Sequence, residues 1–249
     1  MNILIPCAGQ AKRFQEAGFT DLKPFIETQG KPMISWVVDN FKSECYDTYF
    51  YFVFQDKHVY EYKIEDKLKE IFKDSSIEYE ILRVSGLTDG SASTIHQQRN
   101  HIHPDEKLII ANSDQYVSNF DLDRWIGWAC KDDASILTFN DTDSKWSFVE
   151  PKDEIYAANV VEKQPVSNIA NVGMFYYKEA RDAFWAIDEM KSKKIKVGNE
   201  FYLAPSMNEL IEDDAKVSYK VLEPYQKMWG LGTPFDHQNF EKKYKHVIQ

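Results

Sequence analysis

The chain is poor in cysteine, in net positive charge and in long apolar runs. Its three cysteines, Cys7, Cys45 and Cys130, lie far apart, so neither a CxxC zinc site nor a disulfide framework is expected. Net charge is −10, whereas nonspecific nucleic-acid binding needs a basic surface. A local basic pocket for phosphates is still allowed, because net charge says nothing about one cleft. No apolar run approaches the roughly 20 residues that span a bilayer. The apolar stretch Met1 to Gly9 is too short for a signal-peptide core and has no basic leader. There is no low-complexity tract and no internal repeat, six-residue β-helix periodicity included. These absences lead to the expectation of a soluble, cytoplasmic protein with no nucleic-acid and no membrane partner.

What is present suits a packed core. Hydrophobic residues make up 43% and aromatics 14% of 249 residues, enough for one large α/β domain. Strand-like runs occur at 3–7 (ILIPC), 48–54, 78–84, 107–111 (KLIIA) and 134–139. ILIPC and KLIIA are almost wholly apolar, as strands covered on both faces tend to be. Between them, Pro32 to Lys42, Val59 to Lys73 and Ser91 to Ile102 carry helical signals. Strand alternating with helix predicts a mostly parallel sheet with right-handed crossovers. In the second half, 146–150, 156–162, 172–177 and 216–222 read as strands of a smaller mixed sheet, and 180–195 and 199–212 as helices. No clean linker interrupts residues 1–249, so a single domain is expected.

The opening MNILIPCAGQAKRF runs from a strand into a loop, which is where ligands bind in open α/β sheets. Gly9 lets the backbone approach a phosphate closely, and successive amides there can form an anion nest. Arg13 adds a planar donor fork for phosphate oxygens. The pattern is neither GxGxxG nor a P-loop, so dinucleotide and P-loop chemistry are not indicated. Pro24 is expected to hold Lys23 extended and aim its ammonium.

The combination AGQAKRF and LKPFIETQGKPMI resembles the N-terminal signature of the sugar-phosphate nucleotidyltransferases, or sugar-nucleotide pyrophosphorylases. Three later segments agree in order and spacing: IIANSDQYV at 109–117, VVEKQPVSNIANVGMFYY at 160–177 and WGLGTPFDHQNF at 229–240. The resemblance implies a Rossmann-like (GT-A-type) α/β fold, with 1–120 mainly nucleotide-binding and 121–249 mainly acceptor-binding. It implies transfer of a nucleotidyl group from an NTP to a sugar 1-phosphate or a related phosphorylated sugar or polyol, with release of pyrophosphate. The product would be an activated nucleotide sugar for surface polysaccharide synthesis. Relatives are often homo-oligomers.

Such a reaction has an anionic nucleophile and needs no general base; its difficulty is electrostatic. The resemblance therefore assigns Ala8, Gly9, Gln10 and Ala11 to the nucleotide phosphates. Arg13 goes to the leaving group and Lys23 to the α-phosphate or the acceptor phosphate. Asp114 is assigned to Mg²⁺, a hard cation that takes carboxylate and phosphate oxygens. Ser85, Thr88 and Gly90 are assigned to the base, and Glu162, Lys163, Asn171 and Gly173 to the acceptor. Trp146 and Trp229 read as core residues, and His96, His101 and His103 as helix-face or loop residues.

Two departures stand out. Ala11 and Lys12 occupy positions where glycine and a small hydroxyl residue often occur. Gly230 stands where many relatives place a second metal-binding aspartate, leaving Asp236 and Glu200 as candidate substitutes. This gap keeps open a catalytically inactive nucleotide-sugar-binding or regulatory subunit. A GT-A glycosyltransferase is the other alternative, although NSDQ at 112–115 is not its DxD motif.

Overall fold

The computed structural model describes residues 1–244. In the first half, strands and helices alternate: β1 (Asn2–Pro6), α1 (Lys12–Glu16), the short pair β2 (Glu27–Thr28) and β3 (Lys31–Pro32), α2 (Met33–Asp39), β4 (Tyr49–Gln55), α3 (Asp56–Glu61), α4 (Ile64–Phe72), β5 (Glu78–Val84), α5 (Ser91–His96), β6 (Leu108–Ala111) and β7 (Gln115–Ser118). The second half adds α6 (Leu122–Ala129), β8 (Ala134–Asn140), β9 (Ser147–Pro151), β10 (Ala157–Glu162), β11 (Ile169–Tyr177), α7 (Ala180–Ser192), α8 (Met207–Glu212), β12 (Val217–Val221), β13 (Lys227–Gly230) and α9 (Pro234–Lys243).

β1 lies between β4 and β6, parallel to both, and β5 continues the parallel set beyond β4. β11 then runs antiparallel to β6. The expected parallel α/β sheet is therefore present, and β8 to β12 extend it into nine strands. Two small antiparallel pairs, β7–β13 and β2–β3, stand outside it.

Alternation along the strands sorts the core. Leu4 packs to one face with Val53, Ile110 and Phe175 beneath α5, α7 and α8. Ile3 and Ile5 pack to the other with Phe50, Phe52 and Ile109 beneath α2, α4 and α6. Both faces are covered, which is why β1 and β6 are apolar throughout. A third cluster joins Phe14, Met33, Trp36, Trp229, Leu231 and Phe240. It ties α1 to the chain's closing segment and so fixes the helix that carries Arg13. Burying one such aromatic contributes about 1.5–3 kcal/mol.

Local structure departs from expectation in several places. The helix expected at 59–73 is two helices broken at Lys63, which takes φ 50°. The helix expected at 91–102 ends at His96. Of 199–212, only α8 is α-helical; Pro205 sits in a 3₁₀ turn, Ala204–Ser206, ahead of it. Proline has no N–H to donate and cannot lie inside an α-helix without breaking it. Helices α1, α6 and α9 were not anticipated. α6 and α9 nonetheless carry cap signals: Asp121 accepts from the Arg124 amide at 2.9 Å, and Thr233 Oγ1 from the Asp236 amide at 3.1 Å.

Candidate active site

The parallel strands open onto a cavity of about 470 Å³ at their C-terminal ends. It brings together twelve residues singled out in the sequence: Ala8, Gly9, Ala11, Arg13, Lys23, Thr88, Gly90, Asp114, Glu162, Lys163, Asn171 and Gly173. Gln10 and Ser85 are not among its lining residues, and Ser85 is solvent-exposed.

The loop after β1 is anchored at its base. The Cys7 amide donates to Val53 O at 2.8 Å, and Gln55 Nε2 donates to Ala8 O at 2.5 Å. Ala11 then adopts a left-handed conformation, φ 53°. Glycine adopts it without a Cβ penalty, so the departure from the family pattern carries a local strain. Ala11→Gly should therefore raise unfolding stability by about 0.5–1 kcal/mol, read as a higher urea midpoint at unchanged slope. A lower midpoint would show that the alanine is favourable there. Lys12 is exposed and does not line the cavity, whereas Arg13, the next residue of α1, does. Cys7 also lines it, but burial pushes its thiol up to about 12, which leaves it inert as a nucleophile.

Lys23 is not extended. It opens a 3₁₀ turn, Lys23–Phe25, and Leu22 is the extended residue, φ −67° and ψ 146°. The proline ring, with its φ near −65°, suits the start of a helical turn. The side chain reaches the cavity, where Lys23 Nζ meets Asp114 Oδ2 at 2.7 Å, with both side chains half-buried. Asp114 follows β6, and the Leu231 amide donates to its backbone oxygen at 2.7 Å. The β7–β13 pairing, in which Gly230 faces Gln115, holds this closing segment in place. A Cβ on Gly232 would stand 2.6 Å from Asp114 Oδ2, so glycine keeps that side of the carboxylate open.

Among the described residues, no three His, Cys, Asp or Glu side chains gather as a metal cluster. Both candidate substitutes for the missing aspartate, Asp236 and Glu200, line the cavity. Asp236 is engaged on both oxygens, by Lys145 Nζ at 2.9 Å and by Thr233 Oγ1 at 2.7 Å. His96 pairs with Asp188 at 2.6 Å, away from the cavity lining.

The loop that carries Thr88 and Gly90 is built on contacts of its own. Thr88 Oγ1 donates to Gly90 O at 3.0 Å and lies 2.6 Å from Thr94 Oγ1. Gly90 has φ 129°, and a Cβ there would lie 2.3 Å from Phe201 O. The Phe201 backbone clasps this loop, donating to Asp89 O at 2.7 Å and accepting from the Ala92 amide at 3.0 Å. Close backbone packing is thus one reason for this glycine.

On β11, Gly173 has φ 90°, and a Cβ would lie 2.0 Å from Gln115 Oε1. Its amide donates to Asn171 Oδ1 at 2.6 Å, while the buried Asn171 Nδ2 has no partner among the described residues. Burial, opposed by Lys163 and reinforced by Glu200, pushes Glu162 up to about 7. A carboxyl whose folded value exceeds its ordinary 4.5 favours folding most when protonated. Its contribution is full below about 4.5 and is lost as pH rises through about 7. Glu162→Gln should remove that fall, narrowing or reversing any deficit at pH 8 relative to pH 4.5 by about 2 kcal/mol. Denaturant titrations at the two pH values check it, and an unchanged difference would refute the burial effect.

Sequence reasoning missed Lys145, Trp146 and Tyr202, all of which line the cavity. Trp146 was expected in the core; it is half-buried, with Lys145 Nζ 4.6 Å from its ring centroid. Nothing in the local sequence distinguishes it from Trp229, which is buried in the third cluster as expected.

No family model matches the chain, and no curated protein matches it significantly. Solved structures do. A nucleoside-diphosphate-sugar pyrophosphorylase from Vibrio cholerae RC9 is 22% identical, with TM-score 0.84 over 97% of this chain and 100% of that one. A UDP-glucose pyrophosphorylase complexed with UDP-glucose is 17% identical, with TM-score 0.78 over 98% of each. An inositol-1-phosphate CTP transferase from T. maritima is 12% identical, with TM-score 0.70 over 97% of this chain and 96% of that one. Across nearly its whole length, the chain has the fold of the sugar nucleotidyltransferases.

Proposed function

We propose that the protein transfers a nucleotidyl group from an NTP to a sugar 1-phosphate or a related phosphorylated acceptor and releases pyrophosphate. One observation carries this reading: Arg13, Lys23 and Lys163 line a single cavity with Asp114, at the strand ends of a sheet shared with nucleotidyltransferases. The neighbours' names, a nucleoside-diphosphate-sugar pyrophosphorylase, a UDP-glucose pyrophosphorylase and an inositol-1-phosphate CTP transferase, support the same chemistry.

In this reading, residues 1–120 supply most of the nucleotide contacts and 121–249 most of the acceptor contacts. Gly9 and its neighbours hold the nucleotide phosphates. Arg13 stabilises the leaving pyrophosphate, and Lys23 offsets charge on the α-phosphate. Glu162, Asn171 and Gly173 contact the acceptor. Lys163 meets the acceptor phosphate. The residues suit Mg²⁺, because Asp114 offers a hard carboxylate: Lys23 sits on Oδ2, and Gly232 puts no side chain beside that oxygen. Asp114 would hold the ion, which would supply neutralisation of phosphate charge when bound. A cytoplasmic role in making activated precursors for surface polysaccharides fits this reading, as does a homo-oligomer. No helix among the described residues is long and apolar enough to cross a membrane.

The test is a matrix of NTPs against sugar and polyol phosphates, with Mg²⁺ and pyrophosphate detection. One productive pair is expected. Nucleotide binding without turnover in every well would favour the inactive binding subunit, which Gly230 makes the second reading. Consumption of a nucleotide sugar instead would indicate glycosyl transfer.

A further inference from the structure

Lys163 is exposed, directly follows β10 with φ 58°, and is followed by an exposed loop. A lysine so placed would spread its ammonium over many rotamers, and collecting them for one phosphate has a large entropic cost. Here its Nζ donates to the Tyr202 hydroxyl and lies over the Tyr202 ring, 4.0 Å from the centroid.

Tyr202 is itself a fixed post. Phe201 before it and Leu203 after it are buried. The Phe201 backbone is bonded on both sides to the segment Asp89–Ala92, and Ala204–Ser206 closes into a 3₁₀ turn directly after. Tyr202 thus reaches the cavity from a short stretch pinned at both ends, and Lys163 leans on it.

We infer that Tyr202 is the positioning residue that presets the Lys163 ammonium for a phosphate oxyanion, holding it by a hydroxyl acceptor and a ring face together. The inference deepens the proposed function and rests on Lys163 meeting the acceptor phosphate. It also gives the segment 201–203 a double duty. The same few residues brace the base-side loop through backbone bonds and the acceptor-side lysine through one side chain.

The experiment follows Lys163 itself in the full chain, with lysine-selective ¹³C labelling. The ε-methylene signal is assigned by its loss in Lys163→Arg, and inorganic phosphate is the probe. In the wild type the ring should shift this signal upfield, and phosphate should perturb it. Tyr202→Leu should return the signal to the free-lysine position and raise the phosphate concentration needed by about tenfold. Tyr202→Phe keeps the ring and loses the hydroxyl, so it should keep the upfield shift and raise that concentration only about threefold. Melting temperature monitors folding in each variant, and Tyr202→Phe serves if the leucine variant does not fold. Phosphate that perturbs Lys163 equally in wild type and Tyr202→Leu overturns the positioning role while leaving the phosphate role intact. Phosphate that never perturbs Lys163 removes the phosphate role and the inference with it.

Discussion

Alanine at Lys23 or at Asp114 should lower pyrophosphate release about 10²–10³-fold in a protein that still folds. The two side chains meet at 2.7 Å on the cavity wall, and each is about a fifth to a quarter exposed. A pair this close to solvent contributes at most about 1 kcal/mol to stability, so lost activity will not be lost fold. Under the proposed function their service is to the reaction, where two polyanions must approach and negative charge grows on the leaving group. Because the two side chains are paired and would act as a unit, the double variant should be little worse than the worse single one. Steady-state pyrophosphate release, with melting temperature alongside, measures both effects. Activity within a few-fold of wild type in either variant would take that residue out of the mechanism.

The second large effect belongs to Gly90. An alanine Cβ there would lie 2.3 Å from Phe201 O and 2.6 Å from Phe201 N, at φ 129°. The obstruction is backbone and cannot swing aside like a flexible side chain. Gly90→Ala should therefore cost about 3 kcal/mol or more, a fall in melting temperature of about 6–12 °C for a chain of this size. It should also weaken NTP binding, because the clasp between Asp89–Ala92 and Phe201 must open. Gly9 makes the contrast. Nothing lies within 4 Å of a Cβ built on it. Gly9→Ala should leave stability within about 0.5 kcal/mol and act only through closeness to the nucleotide phosphates. Thermal melts of the two variants side by side separate a packing glycine from a binding one; equal melting temperatures would refute the distinction.

The strands were the most legible part of the fold. β1 and β6 announce themselves by unbroken apolar runs, because helices cover both faces of the central sheet. Helix ends were harder to read. The break at Lys63 and the stop at His96 depend on single backbone conformations that composition does not encode. α9 was hidden for another reason: its Thr233 cap and Pro234 start lie inside 229–240, a segment read for its family resemblance and not for its helix signals.

In the site, residues that stand next to strand ends were legible, since strand ends are where the ligand cavity opens. The segment 85–93 was legible only in part. Its Thr88 and Gly90 reach the cavity, but their evident contacts are with each other, Thr94 and Phe201. Tyr202 carries no sequence signal for its place beside Lys163. The two are far apart in the chain and meet only because Phe201 is fastened to Asp89 and Ala92.

The most direct measurement is the fate of phosphorus. With an NTP labelled at the α-phosphate, Mg²⁺ and its productive phosphorylated acceptor, the label should leave in a nucleotide-acceptor adduct, with one pyrophosphate released per adduct. Label that stays in intact NTP across every base and acceptor, or leaves as free nucleotide without an adduct, would contradict the account.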